Sequence, residues 1–209
     1  MEKYLFMRPV LRRLSEGRIF RLAFTVALRA LAGVTILVGL VTWLTMWKIV
    51  SSLSGIGLLG GFVFQLLFGI AVYAVAHTIL IRAGDVARLS ESELTLLPIA
   101  IIVVRLIGEV WAAFGITMSI AGGILIWFAG GSSYQLLSGL PRVVPFSFGG
   151  DTFVGGLLLI VIGTLMSFFA LTAFYWLAEL LGLGVGIARN AERIRQAMEA
   201  RETYTRSDA

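Results

Sequence analysis

The sequence predicts an all-α integral membrane protein built on four transmembrane helices. Composition is the first reason. Of 209 residues, 58% are hydrophobic and only 14% are charged, against ~45–50% and ~25% in an ordinary soluble domain. Mean hydropathy is +0.94. Patterning is the second reason. Four stretches reach the ~20 mainly apolar residues that cross a ~30 Å hydrocarbon core. None alternates with period two over ~10 residues, as barrel strands do. Too few charges are present to cover a water-facing surface. A soluble enzyme, a free nucleic-acid-binding domain and a disordered chain are thereby excluded.

The first 21 residues set Val10, Leu11, Leu14 and Phe20 among several arginines, with Pro9 placed to open a helix. They are expected to form a basic amphipathic segment on the cytoplasmic face. The first span runs from about Leu22 to Trp47. Its apolar run is too long for a signal peptide and ends in two tryptophans and a lysine, with no small-residue cleavage site. It is read as a retained helix. The second span runs from about Ile56 to Ile81. A loop carrying Arg82 and Arg88 follows, and Ser90 to Glu93 has the form of a capping box. Pro98 is expected to kink or restart the next helix, leaving Glu91 to Leu97 as a short surface turn. The third span lies within Leu94 to Phe128. A Gly- and Pro-rich but apolar loop, Gly130 to Asp151, leads to the fourth span, Thr152 to Gly184, with Asp151 placed to cap it. The tail reads as a helical extension with a stripe of Ile187, Ala191, Ile194 and Met198 and an Arg195–Glu199 pair. The expected organisation is thus a basic segment over 1–21, a four-helix membrane domain over 22–188 and a cytoplasmic helical tail over 189–209.

Lysine and arginine outside the spans set orientation. Thirteen fall in the N-terminal segment, the second loop and the tail, whereas the first and third loops hold only Lys48 and Arg142. Both termini are therefore expected in the cytoplasm, as in a bacterial inner membrane. The net charge of +5 then finds its counter-charge in anionic lipids of the inner leaflet rather than in nucleic acid.

Ionisable residues within spans cost ~2.5–3.5 kcal/mol each at a helix centre. They are the first functional candidates in such a chain. Five are present: Arg29, His77, Arg105, Glu109 and Glu179. All map to the inner-leaflet half. Arg105 and Glu109 are one helical turn apart and are expected to neutralise each other. Trp111 and Trp127, about 24 Å apart along a helix, are expected at the two interfaces. A polar path to the outer side is missing apart from Gln65. A pigment or haem on His77 is a weaker reading than a hydrogen-bonded structural histidine. Small residues at four-residue steps predict close helix packing: Gly57 and Gly61, then Gly115, Ser119 and Gly123, then Gly163 and Ser167. The chain has no cysteine and one histidine, and no cofactor is expected. Hydrolase, metalloprotease and phosphate-loop signatures are missing.

The run Phe174-Tyr-Trp-Leu-Ala-Glu179, followed by Gly186-Ile-Ala-Arg-Asn-Ala-Glu-Arg193, resembles the last helix and tail of small uncharacterised bacterial multi-pass membrane proteins. That resemblance implies a multi-pass fold and brings no activity. The sequence therefore points to a non-catalytic structural or accessory subunit, not an enzyme, working with other membrane subunits or as a homo-oligomer. The alternative is a small oligomeric channel or transporter that uses the inner-leaflet polar cluster. Topology reporters test the frame. Fusions at residue 209 or within 83–92 are expected to read as cytoplasmic, and fusions near Ser52 and Gly139 as external. A cytoplasmic reading at Gly139 contradicts four spans.

Overall fold

The structure, a computed structural model, describes residues 18–53, 55–89, 96–133 and 152–207. Four long helices make up the described fold: α1 (Arg18–Val50), α2 (Ile56–Ala87), α3 (Leu96–Ala129) and α4 (Phe153–Ser207). A single 3-10 turn, Gly130–Ser132, follows α3, and no strand occurs among the described residues. All four helices contain a segment long and apolar enough to cross a membrane, that of α4 being Phe153–Gly184. The N-terminal segment to residue 17, the Ser90–Glu93 box and most of the third loop lie outside the described residues, as do the side chains of the Arg195–Glu199 pair taken together.

Helix ends follow local chemistry. α1 closes on a tightened turn in which Ser51 N–H donates to the Trp47 carbonyl at 2.9 Å and Ser52 N–H to that of Ile49 at 3.1 Å. The hydroxyls of Ser51 and Ser52 donate to the carbonyls of Lys48 and Ile49. These bonds satisfy carbonyls that a helix end leaves open. Gly55, at φ 56°, then takes a backbone conformation that other residues rarely adopt. Pro98 is the third residue of the described α3, a position where a missing N–H costs no intrahelical bond, and residues 90–95 before it lie outside the described residues. The cap of α4 is Thr152, whose hydroxyl accepts from Gly155 N–H at 3.2 Å. Asp151, expected in that role, lies outside the described residues.

The helices form an open row. α2 packs on α1 and α3, and α3 packs on α2 and α4, so α1 and α4 are the two edges. We call the end holding the α1 start, the α2 end and the α3 start the basic end. An apolar cluster around Leu28, Ala32, Ile79, Ala83 and Leu106 fills the α1–α2–α3 junction there. A second cluster around Phe64, Phe68, Met118 and Leu125 fills the far end. Between α1 and α2, Gln65 Nε2 donates to the Trp43 carbonyl at 3.2 Å and Trp43 Nε1 donates to the Gln65 carbonyl at 3.3 Å. The outward faces are apolar, with Leu37, Val41, Phe169 and Leu183 all more than half exposed.

The α3–α4 seam is the closest in the row. A Cβ at Gly123 would lie 2.6 Å from the Gly156 carbonyl oxygen, and one at Gly156 would lie 2.8 Å from that of Gly123. Gly115 faces Ser167, and Gly108 faces Phe174. Ser119 and Ser167 are buried but donate to their own helices, at the carbonyls of Gly115 and Gly163. Their hydroxyls therefore leave no open donor in the seam. On α2, Gly57 meets Ala129, and Gly61 meets Val50. Trp127 closes the far end by donating to the Phe153 carbonyl at 2.9 Å and stacking on the Phe153 ring at 5.0 Å.

These distances rank substitutions. Gly123→Ala drives a methyl into rigid backbone and is expected to cost about 1–3 kcal/mol, the usual range for overpacking. Gly69→Ala meets nothing within 4 Å, so it is expected to be neutral or to gain up to ~1 kcal/mol of helix propensity. Thermal melts of the two variants in detergent check the order.

Candidate functional site

α2 continues six residues past its expected end at Ile81, to Ala87. Arg82 therefore belongs to the helix and not to a loop. Its guanidinium crosses to α3, where Nε donates to Glu109 Oε2 at 2.8 Å and Nη2 donates to Glu109 Oε1. The remaining edge turns back on its own helix, with Nη1 donating to Asp85 Oδ2 at 2.8 Å. Tyr175 completes the group from α4, its hydroxyl donating to Glu109 Oε1 at 2.5 Å. Three helices thus meet on one carboxylate. The Arg82 and Glu109 side chains are only 21% and 17% exposed, so the pair is largely removed from solvent. A planar fork on a carboxylate is the strongest ion-pair geometry available to side chains.

Gly108 makes the third contact reachable. A Cβ there would lie 2.7 Å from Phe174 Cβ. Its absence lets α4 approach, which brings the neighbouring Tyr175 to the neighbouring Glu109. At the same end, Arg21 Nη1 donates to the Leu89 carbonyl at 2.6 Å and fastens the α1 start to the α2 end.

The expected Arg105–Glu109 pair is not formed. Both oxygens of Glu109 are taken by Arg82 and Tyr175, and Arg105 turns instead to the Tyr175 ring, with its guanidinium carbon 5.5 Å from the centroid. The physical reason is the longer α2, which brings a bidentate partner that a one-turn neighbour on the same helix cannot match. Arg105 Nε is buried without an acceptor. The five expected residues do not gather into one cluster. Arg29 is exposed on α1, and His77 is exposed on α2 with its ring stacked on Tyr73 at 5.6 Å. Glu179 is exposed on α4, where it shares a groove with Arg105. The α3–α4 glycines and serines Gly115, Ser119, Gly123, Gly163 and Ser167 are all buried, as are Gly57 and Gly61 on α2.

Arg82, Asp85 and Tyr175 are the residues that sequence reasoning did not single out. The signal for Arg82 was present. Val75, Ile79, Ala83 and Val86 are spaced as one helical stripe that runs past Ile81, and all four are buried. Tyr175 carries no such signal, because its role depends on the Gly108 approach. As an anion holding three donors, Glu109 is fixed in place. Among the described residues no three metal-ligating side chains gather in one place. No protein family, curated protein or solved structure matches the chain.

Removing one partner from a buried pair leaves the other charge uncompensated, at ~3–5 kcal/mol for full burial and less with partial exposure. Glu109→Gln and Arg82→Gln are each expected to cost about 1–3 kcal/mol, and the double variant less than the two losses added. Tyr175→Phe is expected to cost about 1 kcal/mol or a little more, one hydrogen bond to a charged group. Arg105→Gln combined with Glu109→Gln is expected to be closer to additive. Melts of the two cycles distinguish the Arg82 pairing from an Arg105 pairing.

Proposed function

We propose that the chain is a multi-pass protein of a bacterial cytoplasmic membrane, with both termini in the cytoplasm. Within that membrane we assign it the role of a non-catalytic structural or accessory subunit, joined to second copies or to other membrane proteins. The observation that carries this reading is the unpacked face of α4. From Gly182 to Ser207 the helix continues for roughly 38 Å at ~1.5 Å per residue. α3 flanks only the beginning of that stretch, where Ile101 reaches Gly182. Ile187, Ile194 and Met198 lie on one side of it and are 71%, 62% and 61% exposed. Beyond the apolar segment that ends at Gly184, such a stripe is in water unless another helix covers it.

The polar cluster supports a structural role more than a transport role. A carrier carboxylate must exchange protons or ions with a path. Glu109 is held by a bidentate arginine and a tyrosine, and the far half of the row offers Gln65 clasped to Trp43. Inner-leaflet anionic lipids fit the arginines at the basic end, and nothing in the arrangement calls for nucleic acid.

The chain has no cysteine, so Ile194→Cys introduces a unique thiol on the stripe. Oxidation or a short thiol-reactive cross-linker in intact membranes is expected to give a discrete product, either a dimer of the chain or a single adduct with another membrane protein. A chain that stays monomeric under both treatments contradicts the subunit role. Ion or proton flux through liposomes holding the purified protein, lost in Glu109→Gln at an unchanged melting temperature, would replace it with the transport reading.

A further inference from the structure

We infer that the groove between α3 and α4 at the basic end binds an ethanolamine-type phospholipid, with the lipid phosphate on Arg105 and its ammonium on Glu179. The inference rests on the membrane reading above and specifies one lipid partner for it.

The charge arrangement is the starting point. Arg82 engages both nearby carboxylates, Glu109 and Asp85. Arg105 makes no direct ion pair among the described residues: it feels the charge of Glu109, whose oxygens are already taken by Arg82 and Tyr175, it lies over the Tyr175 ring, and its Nε is buried without an acceptor. A guanidinium in such a position favours a phosphate, whose oxygens match its fork. Arg105 lines a groove of about 610 Å³, and Glu179, exposed and without a cation partner among the described residues, lines the α4 wall of the same groove. A cation and an anion that each lack a direct ion-pair contact, set across a single groove, suit a zwitterion. A headgroup with net negative charge would meet Glu179 as a like charge. A primary ammonium offers N–H donors to that carboxylate, whereas a quaternary ammonium has none.

The walls and the level also suit a lipid. Gly182 and Gly186 sit one turn apart and recess the α4 surface. A Cβ at Gly182 would come only to 4.0 Å from Ile101, and one at Gly186 would meet nothing. Ile101 and Leu183 make the rest of the surface apolar. The lining residues fall on both sides of Gly184, where the apolar segment of α4 ends. That is the level at which headgroups lie.

The test uses the full chain in detergent, exposed to mixed micelles containing phosphatidylethanolamine, phosphatidylcholine or phosphatidylglycerol, with retained lipid read by native mass spectrometry. The parent protein is expected to retain the ethanolamine lipid about tenfold better than either of the others, a ratio within reach of one charge-assisted hydrogen bond. Glu179→Gln is expected to keep phospholipid but lose the preference, and Arg105→Gln to lose retention of all three. Gly182→Leu, which fills the groove from an open position, is expected to lose retention at an unchanged melting temperature. Should Arg105→Gln fail to fold, the Glu179 and Gly182 variants decide. Parent-like retention and selectivity in both would overturn the inference, as would indifference of the parent to headgroup. Competition by millimolar soluble glycerophosphoethanolamine would also overturn it, in favour of a water-soluble phosphate ligand. Extraction of the chain from membranes by alkaline carbonate without detergent would instead overturn the membrane reading itself, whatever lipid is retained.

Discussion

The fork of Arg82 on Glu109 is the interaction on which the basic end of the row depends. Each residue is costly when left alone at so low an exposure. Each would carry a charge with little water to solvate it, and the cost of that exceeds what most single packing contacts return. Paired across α2 and α3, they turn two liabilities into a fixed link. Tyr175 extends the link to α4 by donating to the same carboxylate. This matters because α2 and α4 are not packing neighbours in the row. α3 stands between them, and one carboxylate on α3 is where side chains from both sides meet.

That meeting is set up by residues with no charge at all. A hydrogen bond from Tyr175 requires α4 to lie close to α3 at the level of Glu109, and closeness there is a property of the whole seam. Gly108 removes a side chain where Phe174 must pass, Gly115 removes one opposite Ser167, and Gly123 and Gly156 bring backbone against backbone. Where association draws little from the hydrophobic effect, such close approach supplies dispersion contact instead. Trp127, bonded and stacked to Phe153, holds the far end of the same seam. The polar cluster is thus positioned from about 22 Å away, the length of helix between Gly108 and Gly123 at ~1.5 Å per residue.

The four long apolar helices and their order were legible in the sequence because hydropathy over ~20 residues is a strong and local signal. The continuation of α4 into its tail was legible for a similar reason, in the spacing of Ile187, Ile194 and Met198. The end of α2 is not marked by hydropathy. A hydropathy reading stops at the first arginine, whereas the helix continues because Ala83 and Val86 remain on its buried stripe. One-turn spacing makes Arg105 the visible partner of Glu109 in the sequence, whereas the partner in the structure, Arg82, lies beyond the apolar run of α2. Arg29, His77 and Glu179 were grouped with Arg105 and Glu109 by depth alone. Depth is nearly fixed by position along a helix, but the direction a side chain faces is fixed by which helices are neighbours. The sequence of one chain does not state that an open row is formed, so it could not say that Arg29 and His77 face outward.

An open row has two edges, and these two are unlike. α1 presents a face of Val34, Leu37, Val41 and Leu44, all more than half exposed and all within its apolar span. In the proposed membrane setting that face needs nothing but lipid. α4 presents Leu165, Phe169 and Trp176 within its apolar segment and then Ile187, Ile194 and Met198 beyond it. In that setting lipid suits the first set, and the second lies beyond the apolar segment. A partner helix that runs along α4 covers both with one continuous surface. Held by tight packing against α3 and by the Tyr175 hydrogen bond to Glu109, α4 is fixed in direction where it leaves the row. A rigid helix so anchored loses little conformational entropy when a partner docks on it. Under the proposed subunit role, the asymmetry of the edges favours α4 over α1 as the assembly face.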